Sequence, residues 1–383
     1  MEKFSFGVDP ITSHAWNRDR TQIAISANNS LVDIYQKSEE GWEKTQTLNE
    51  HTQRVTSVDW APESNMIVTC GSDRNAYVWI QNGNDEWKPS LVILRINRAA
   101  TCVRWSPLEN KFAVGSGSRL ISICYFDKDH DWWVSKHIKK PIRSTITTVD
   151  WHPNNILLAC GSTDFKVRVF SAYVKDVEAK PSGNVWGSKL PLGACLMEFG
   201  GSGGWVHGVS FDATGNRLAW VSHDSTINMV NASANFAESQ TKLKNLPCHS
   251  LQWVGPDSIV AGGHDCWLLR FSVDDSNNLT FEGRVGFSRK RTEEKVTAMS
   301  MFQSLDKRAT VEDDSKKTSI HQNSIVQLLI HTGGREAVTK LSSVGADGLL
   351  VVWNQHSLQA SIGGSTFDML AETINQVNIA SQE

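Results

Sequence analysis

Short runs of alternating apolar and polar residues recur along the whole chain, separated by polar turns. A period of two places successive side chains on opposite faces of a strand. Several runs end in Trp followed by a turn: Val55–Pro62 (VTSVDWAP), Cys102–Pro107 (CVRWSP) and Thr147–Pro153 (TTVDWHP). Ser13–Asp19 (SHAWNRD), Gly208–Gly215 (GVSFDATG) and Ser250–Asp257 (SLQWVGPD) are relatives of the same unit. The anchors Trp16, Trp60, Trp105, Trp151, Phe211 and Trp253 lie 44, 45, 46, 60 and 42 residues apart. Four of these five steps fit the ~40–45 residues of one four-stranded propeller blade.

A second motif follows each anchor. A turn of small residues, often with an Asp, leads into an alternating strand that ends in a bulky residue. Asp73, Asp164, Asp224, Asp265 and Asp347 each stand six residues before the ends Trp79, Phe170, Val230, Phe271 and Trp353. Asn29 precedes Tyr35, and Arg119 precedes Tyr125, at the same offset. The count is seven, which predicts an all-β, seven-bladed propeller of WD-type repeats occupying 1–383 as one domain. One blade cannot cover its own faces, and radial packing buries them. The turn Asp is expected to bind backbone N–H groups and a His of the same blade. His51, nine residues before Trp60, and His321, nine before Ile330, are in place for that structural role. Blade seven would run from His321 to Trp353. The run Lys3–Phe6 (KFSF) is the candidate strand that closes the ring, since an open ring leaves a bare edge.

Two stretches break the period, and insertions in repeat folds fall in loops on the faces. The first, 171–204, accounts for the 60-residue step and is expected as a long loop between blades four and five, anchored by Trp186. Its glycines, Gly200–Gly204, are followed by no Lys-Ser or Lys-Thr pair and make no phosphate loop. The second, 284–320, separates blades six and seven. Val296, Met299, Phe302 and Leu305 recur every third position, with Ala298 and Met301 beside them. This predicts a short amphipathic helix near 296–308, with Thr292, Glu293 and Glu294 suited to its first turn. Such a helix packs back on the propeller rim or projects its apolar stripe into a partner's groove; the third reading is a stretch that stays disordered. From Arg284 to Arg308 there are seven basic and three acidic residues. Arg289-Lys290-Arg291 is too short, and too poor in aromatics, for a nucleic-acid site.

Composition excludes several classes. A net charge of −3 gives no field that would gather nucleic acid or anionic membrane. With 15 Trp the chain is no disordered polymer. Seven cysteines with no CxxC element suit free thiols in a reducing compartment. No run approaches 18 apolar residues and the N-terminus has no signal-like stretch, so the expectation is a cytosolic protein without membrane insertion. Catalytic chemistry is thin. Ser222-His223-Asp224 are consecutive and cannot form a nucleophile–base–orienter array. Cys248 and His249 have no companions at zinc spacing. No cofactor, metal or enzyme activity is expected. A propeller enzyme would instead need ionisable groups converging at the channel mouth.

Beyond the blades, particular segments carry a family resemblance: Ile11–Ile25 (ITSHAWNRDRTQIAI), Val58–Trp79, Leu91–Pro107 (LVILRINRAATCVRWSP) and Asn110–Phe126. His137–Ser144 (HIKKPIRS), Trp186–Gly193 (WGSKLPLG), Gly204–Phe211 and Leu218–Thr226 extend it over nearly the whole chain. RINRAA and HIKKPIRS serve no blade geometry, so they are specific. The chain resembles the WD-repeat subunit 1 family of the actin-related protein 2/3 complex. The resemblance implies a non-catalytic subunit that assembles with two actin-related proteins and the other small subunits. It further implies contact with the mother actin filament, support of branched nucleation and engagement of nucleation-promoting factors. The implied setting is the cytoplasm and the actin cytoskeleton, at cortical patches or a leading edge. The family's filament-contacting helix matches Met299–Ala309, which places Met299, Phe302, Leu305, Asp306, Lys307 and Arg308 at that contact. A generic WD scaffold of another multiprotein complex is the alternative, and the family-specific loops argue against it.

Overall fold

The computed structural model describes residues 1–358 apart from 9, 40, 84–85, 201–202 and 286–318. Among the described residues twenty-eight strands form seven four-stranded antiparallel sheets. The innermost strands are Ile11–Trp16, Val55–Trp60, Ala100–Trp105, Ile146–Trp151, Val206–Phe211, Cys248–Gly255 and Ile325–Gly334. Each blade then adds strands outward in chain order. Blade seven takes its outermost strand from the other end of the chain. Glu2–Ser5 pairs antiparallel with Leu349–Asn354, in the register Glu2↔Val352 to Ser5↔Leu349. The closure expected of the KFSF run is therefore present.

The core is not one mass but seven, one at each seam between neighbouring blades. Val167 and Val169 of blade four pack with Val209, Phe211 and Trp220 of blade five. At the closing seam Val344, Leu350 and Val352 of blade seven meet Ile11, Trp16, Ile23 and Tyr35 of blade one, with Phe4 and Phe6 against them. In three blades the repeated Trp at the end of the inner strand also bonds across the seam. Trp151 donates its indole N–H to the Arg104 carbonyl (3.0 Å), and Trp253 to that of Ser210 (3.1 Å). Each thus ties its blade to the one before, and Trp16 reaches blade seven through Ser342 Oγ (3.0 Å). A residue that is both large and apolar, yet carries one donor, fits this position.

In all seven blades the register between the two inner strands slips at the same point, adding one residue. That residue is Thr12, Thr56, Thr101, Thr147, His207, His249 or Val326. In blades two to four its hydroxyl bonds a carbonyl of the next blade. Thr56 donates to Ala100 O (3.0 Å), Thr101 to Ile146 O (2.6 Å) and Thr147 to Val206 O. Across the channel, Arg335 of blade seven forms a bidentate pair with Asp150 of blade four (2.9 and 2.7 Å) and donates to Phe211 O of blade five.

The segment 171–204 differs from the expected loop between blades. Cys195–Gly200 is the outer strand of blade four, pairing Val167↔Phe199 and Val169↔Met197. Its six residues were hidden by flanking Gly and Pro. The insertion is therefore 172–194, inside blade four. Trp186 anchors it as expected, fully buried among Phe199, Phe211 and Phe236, with its N–H on Gly215 O (2.8 Å). Arg284, the first residue assigned to the second insertion, ends the outer strand of blade six. Residues 296–308 lie outside the described part.

Deleting Glu2–Phe6 would uncover the edge of Leu349–Asn354 and remove Phe4 and Phe6 from the closing seam. The expected result is a melting temperature lower by roughly 5–10 °C and concentration-dependent association through the bare edge. Thermal melting with light scattering measures both.

Candidate protein-interaction site

The channel ends define two faces. One carries the turns between the second and third strands, where the motif Asp residues sit, and also the links between blades. In blade two, His51 Nδ1 lies 2.8 Å from Asp73 and its Nε2 lies 2.9 Å from Thr69 Oγ1, which accepts the Trp79 indole N–H at 3.0 Å. Blade seven repeats the set with His321, Asp347 (3.1 Å), Ser343 (2.8 Å) and Trp353 (2.9 Å). The hydroxyl accepts from Trp and donates to His Nε2, while His Nδ1–H donates to the carboxylate. In this arrangement each ring is a neutral tautomer, the form that burial favours. Burial pushes both imidazoles below their ordinary pKa, against the opposing pull of Asp73 and Asp347. A Cβ on Gly71 or Gly345 would press on the Asp and His of its own set, at 2.9 Å or less.

The other three motif carboxylates have no His. Asp164 pairs with the buried Arg168 (3.0 Å), which also binds Glu198. Asp224 accepts from the Gly203 N–H (2.7 Å) and Thr226, and Asp265 from the Leu246 N–H (3.1 Å). These groups hold turns.

The same face carries a groove between blades two, three and four, with a volume of ≈ 790 Å³. Arg95 enters from the link Ile93–Ala99, Arg119 from the blade-three turn, and Lys139, Lys140 and Arg143 from the link to blade four. All five are exposed. Among the described residues no carboxylate forms an ion pair with any of them; Asp164 takes only the Arg143 backbone N–H. Five unneutralised cations along one groove suit an acidic segment. RINRAA and HIKKPIRS supply four of the five, and Arg119, which the repeat made equivalent to a turn Asp, is the fifth. The repeat pattern gave no hint of this convergence, because blade packing brings the two links together.

Buried polar groups off this face hold the insertion. Lys111 has no exposed surface and binds Glu178 and the Ala172 carbonyl. Burial pushes its ammonium down to about 8, despite the raising effect of Glu178.

No catalytic constellation appears in the described part. Ser222 lies in the second strand of blade five, and Asp224 holds its turn. Among the described residues no three His, Cys, Asp or Glu side chains are arranged to hold a metal ion. All seven cysteines are free. No helix among the described residues is long and apolar enough to cross a membrane. Met299, Phe302, Leu305, Asp306, Lys307 and Arg308 lie outside the described residues.

Two segments, 42–79 and 134–171, match the family model "WD domain, G-beta repeat". Each match begins in the outer strand of one blade and ends in the third strand of the next, so the repeat in sequence straddles two blades in space. Over its length the chain is 54% identical to actin-related protein 2/3 complex subunit 1A-A of Xenopus laevis, covering 95% of this chain and 99% of that one. Identity to subunit 1 of Schizosaccharomyces pombe is 43%, covering 90% and 96%, and to subunit 1B of Arabidopsis thaliana 38%, covering 93% and 97%. The chain belongs to the subunit 1 family of the actin-related protein 2/3 complex.

His51→Ala would take one buried partner from Asp73, which keeps the Thr52 and Asn75 N–H groups, and one from Thr69, which keeps the Trp79 indole. The expected cost at pH 7.5 is about 2–3 kcal/mol, read from denaturant unfolding, with Trp79 fluorescence reporting the same seam.

Proposed function

We propose that this chain is the structural, actin-binding subunit 1 of an actin-related protein 2/3 complex. On this reading it acts without catalysis in the cytoplasm, at the actin cytoskeleton. The observation that carries the reading is identity of 38–54% over at least 90% of the chain to relatives named as that subunit, in animal, fungus and plant. The closed ring is a rigid base on which two actin-related proteins and the other small subunits assemble. Met299, Phe302, Leu305, Asp306, Lys307 and Arg308 of the insertion contact the mother filament and thereby support branch formation. An apolar stripe flanked by basic residues suits an acidic surface with apolar grooves. The groove of Arg95, Arg119, Lys139, Lys140 and Arg143 engages acidic segments of nucleation-promoting factors.

Affinity purification of the tagged chain tests the first step. Co-purification of two actin-related proteins is expected, and their absence sinks the assignment in favour of a scaffold of another complex. Phe302→Ala and Leu305→Ala are expected to leave assembly intact and lower the number of branches per filament in a pyrene-actin and microscopy assay. Loss of incorporation in both variants would place these residues in the propeller's own packing instead. Reversing Arg119, Lys139 and Lys140 to Glu is expected to weaken activator binding about tenfold or more. The wild-type affinity should itself fall with added salt. An unchanged affinity in anisotropy titrations would remove the groove from that role.

A further inference from the structure

Four histidines meet where blades five, six and seven join, on the face that carries the motif carboxylates. His207 and His249 occupy the extra position of the inner strands, where blades two to four carry the threonines that bond the next blade. His223 and His264 come from the turns after the second strands of blades five and six. Ring centroids are 5.0 Å apart for His207–His223, 4.8 Å for His207–His249, 4.2 Å for His249–His264 and 6.3 Å for His223–His264. The four contacts close a circuit.

One polar contact in the circuit runs nitrogen to nitrogen, within blade five, while His207–His249 and His223–His264 join blades five and six by ring packing. His207 Nε2 lies 2.9 Å from His223 Nδ1, so one must carry the proton and the other the lone pair. A fully protonated pair would bring two N–H groups and two charges together. His264 Nδ1 contacts Ser324 Oγ of blade seven at 3.3 Å. Carboxylates on the same face are engaged elsewhere. Asp224 binds Gly203 and Thr226, Asp265 the Leu246 N–H and Asp347 His321. Cys248 and Cys266 lie beside His249 and Asp265 as neutral thiols raised by burial. The exposed Trp205 ring packs on His223 at 5.5 Å.

We propose that this circuit is a proton-linked joint: neutral imidazoles hold blades five, six and seven together, and acidification loosens that joint while the threonine-bonded seams stay made. Burial, and then the neighbouring rings, push His207 and His249 down to about 4. An unfolded imidazole protonates near 6.5. The folded pKa is lowered, so this contribution to stability is complete above about pH 6.5. It is lost as pH falls from there towards 4, because the unfolded chain takes up protons that the folded circuit refuses.

The test uses the full chain in chelator-containing buffer, unfolded by denaturant between pH 7.5 and 5. Near pH 5 the wild type should unfold with about two more protons taken up than His207→Gln/His249→Gln, an extra factor of roughly 50–100 in the unfolding constant per pH unit. Equal slopes in the two proteins would overturn the proposal. Should that double variant fail to fold, histidine ring NMR of the wild type decides. His207 and His249, told apart from the other two rings with His223→Gln and His264→Gln, should stay neutral below pH 5.5, with amide exchange rising first in blades five to seven. Ordinary titration of His207 and His249 near 6.5, or uniform exchange around the ring, would equally overturn it.

Discussion

A blade with two apolar faces persists only between two neighbours, so the ring depends on every seam being made. The seam that cannot form from adjacent sequence is the last one. It depends on a sheet, blade seven, whose four ladder pairs between Glu2–Ser5 and Leu349–Asn354 join segments more than 340 residues apart. Phe4 and Phe6 add ring contacts to Tyr35 and Trp42 of blade one. Once this pairing holds, blades one and seven bury each other and no long edge is left open. Arg335 adds a second constraint across the channel by joining the closing blade to blades four and five.

With the ring closed, the two faces can carry chemistry that the blades do not need. The links between blades are free to vary because the strands fix their ends. Two such links and one turn gather five cations, none of them ion-paired with a carboxylate among the described residues. A protein of overall charge −3 therefore presents a concentrated positive groove. Specific recognition here would come from local placement, not net charge. The His51 and His321 networks show the opposite use of the same face, where charge and hydrogen bonds are consumed internally to hold turns.

Blade-to-blade bonding is not uniform around the ring. Threonine hydroxyls make it in blades two to four, whereas imidazoles stand in their place in blades five and six. Hydroxyls keep their hydrogen-bonding character across the physiological pH range; imidazoles do not. A repeat fold with near-identical blade geometry thus contains seams of different chemical sensitivity.

The sequence by itself determined the architecture. Anchor spacing near 44 residues, the Asp-to-bulky offset of six and the KFSF run gave seven blades and their closure, because strand periodicity and turn chemistry are local. It also marked Trp186 as an anchor and the His51–Asp73 and His321–Asp347 partnerships, since each lies within one repeat. The outer strand Cys195–Gly200 was not legible, because Gly and Pro surround it and its pairing partner stands some 30 residues away. Nor were the cationic groove, the Lys111–Glu178 pair and the four-histidine circuit. Their members come from different blades, and only radial packing decides which residues of neighbouring repeats face one another.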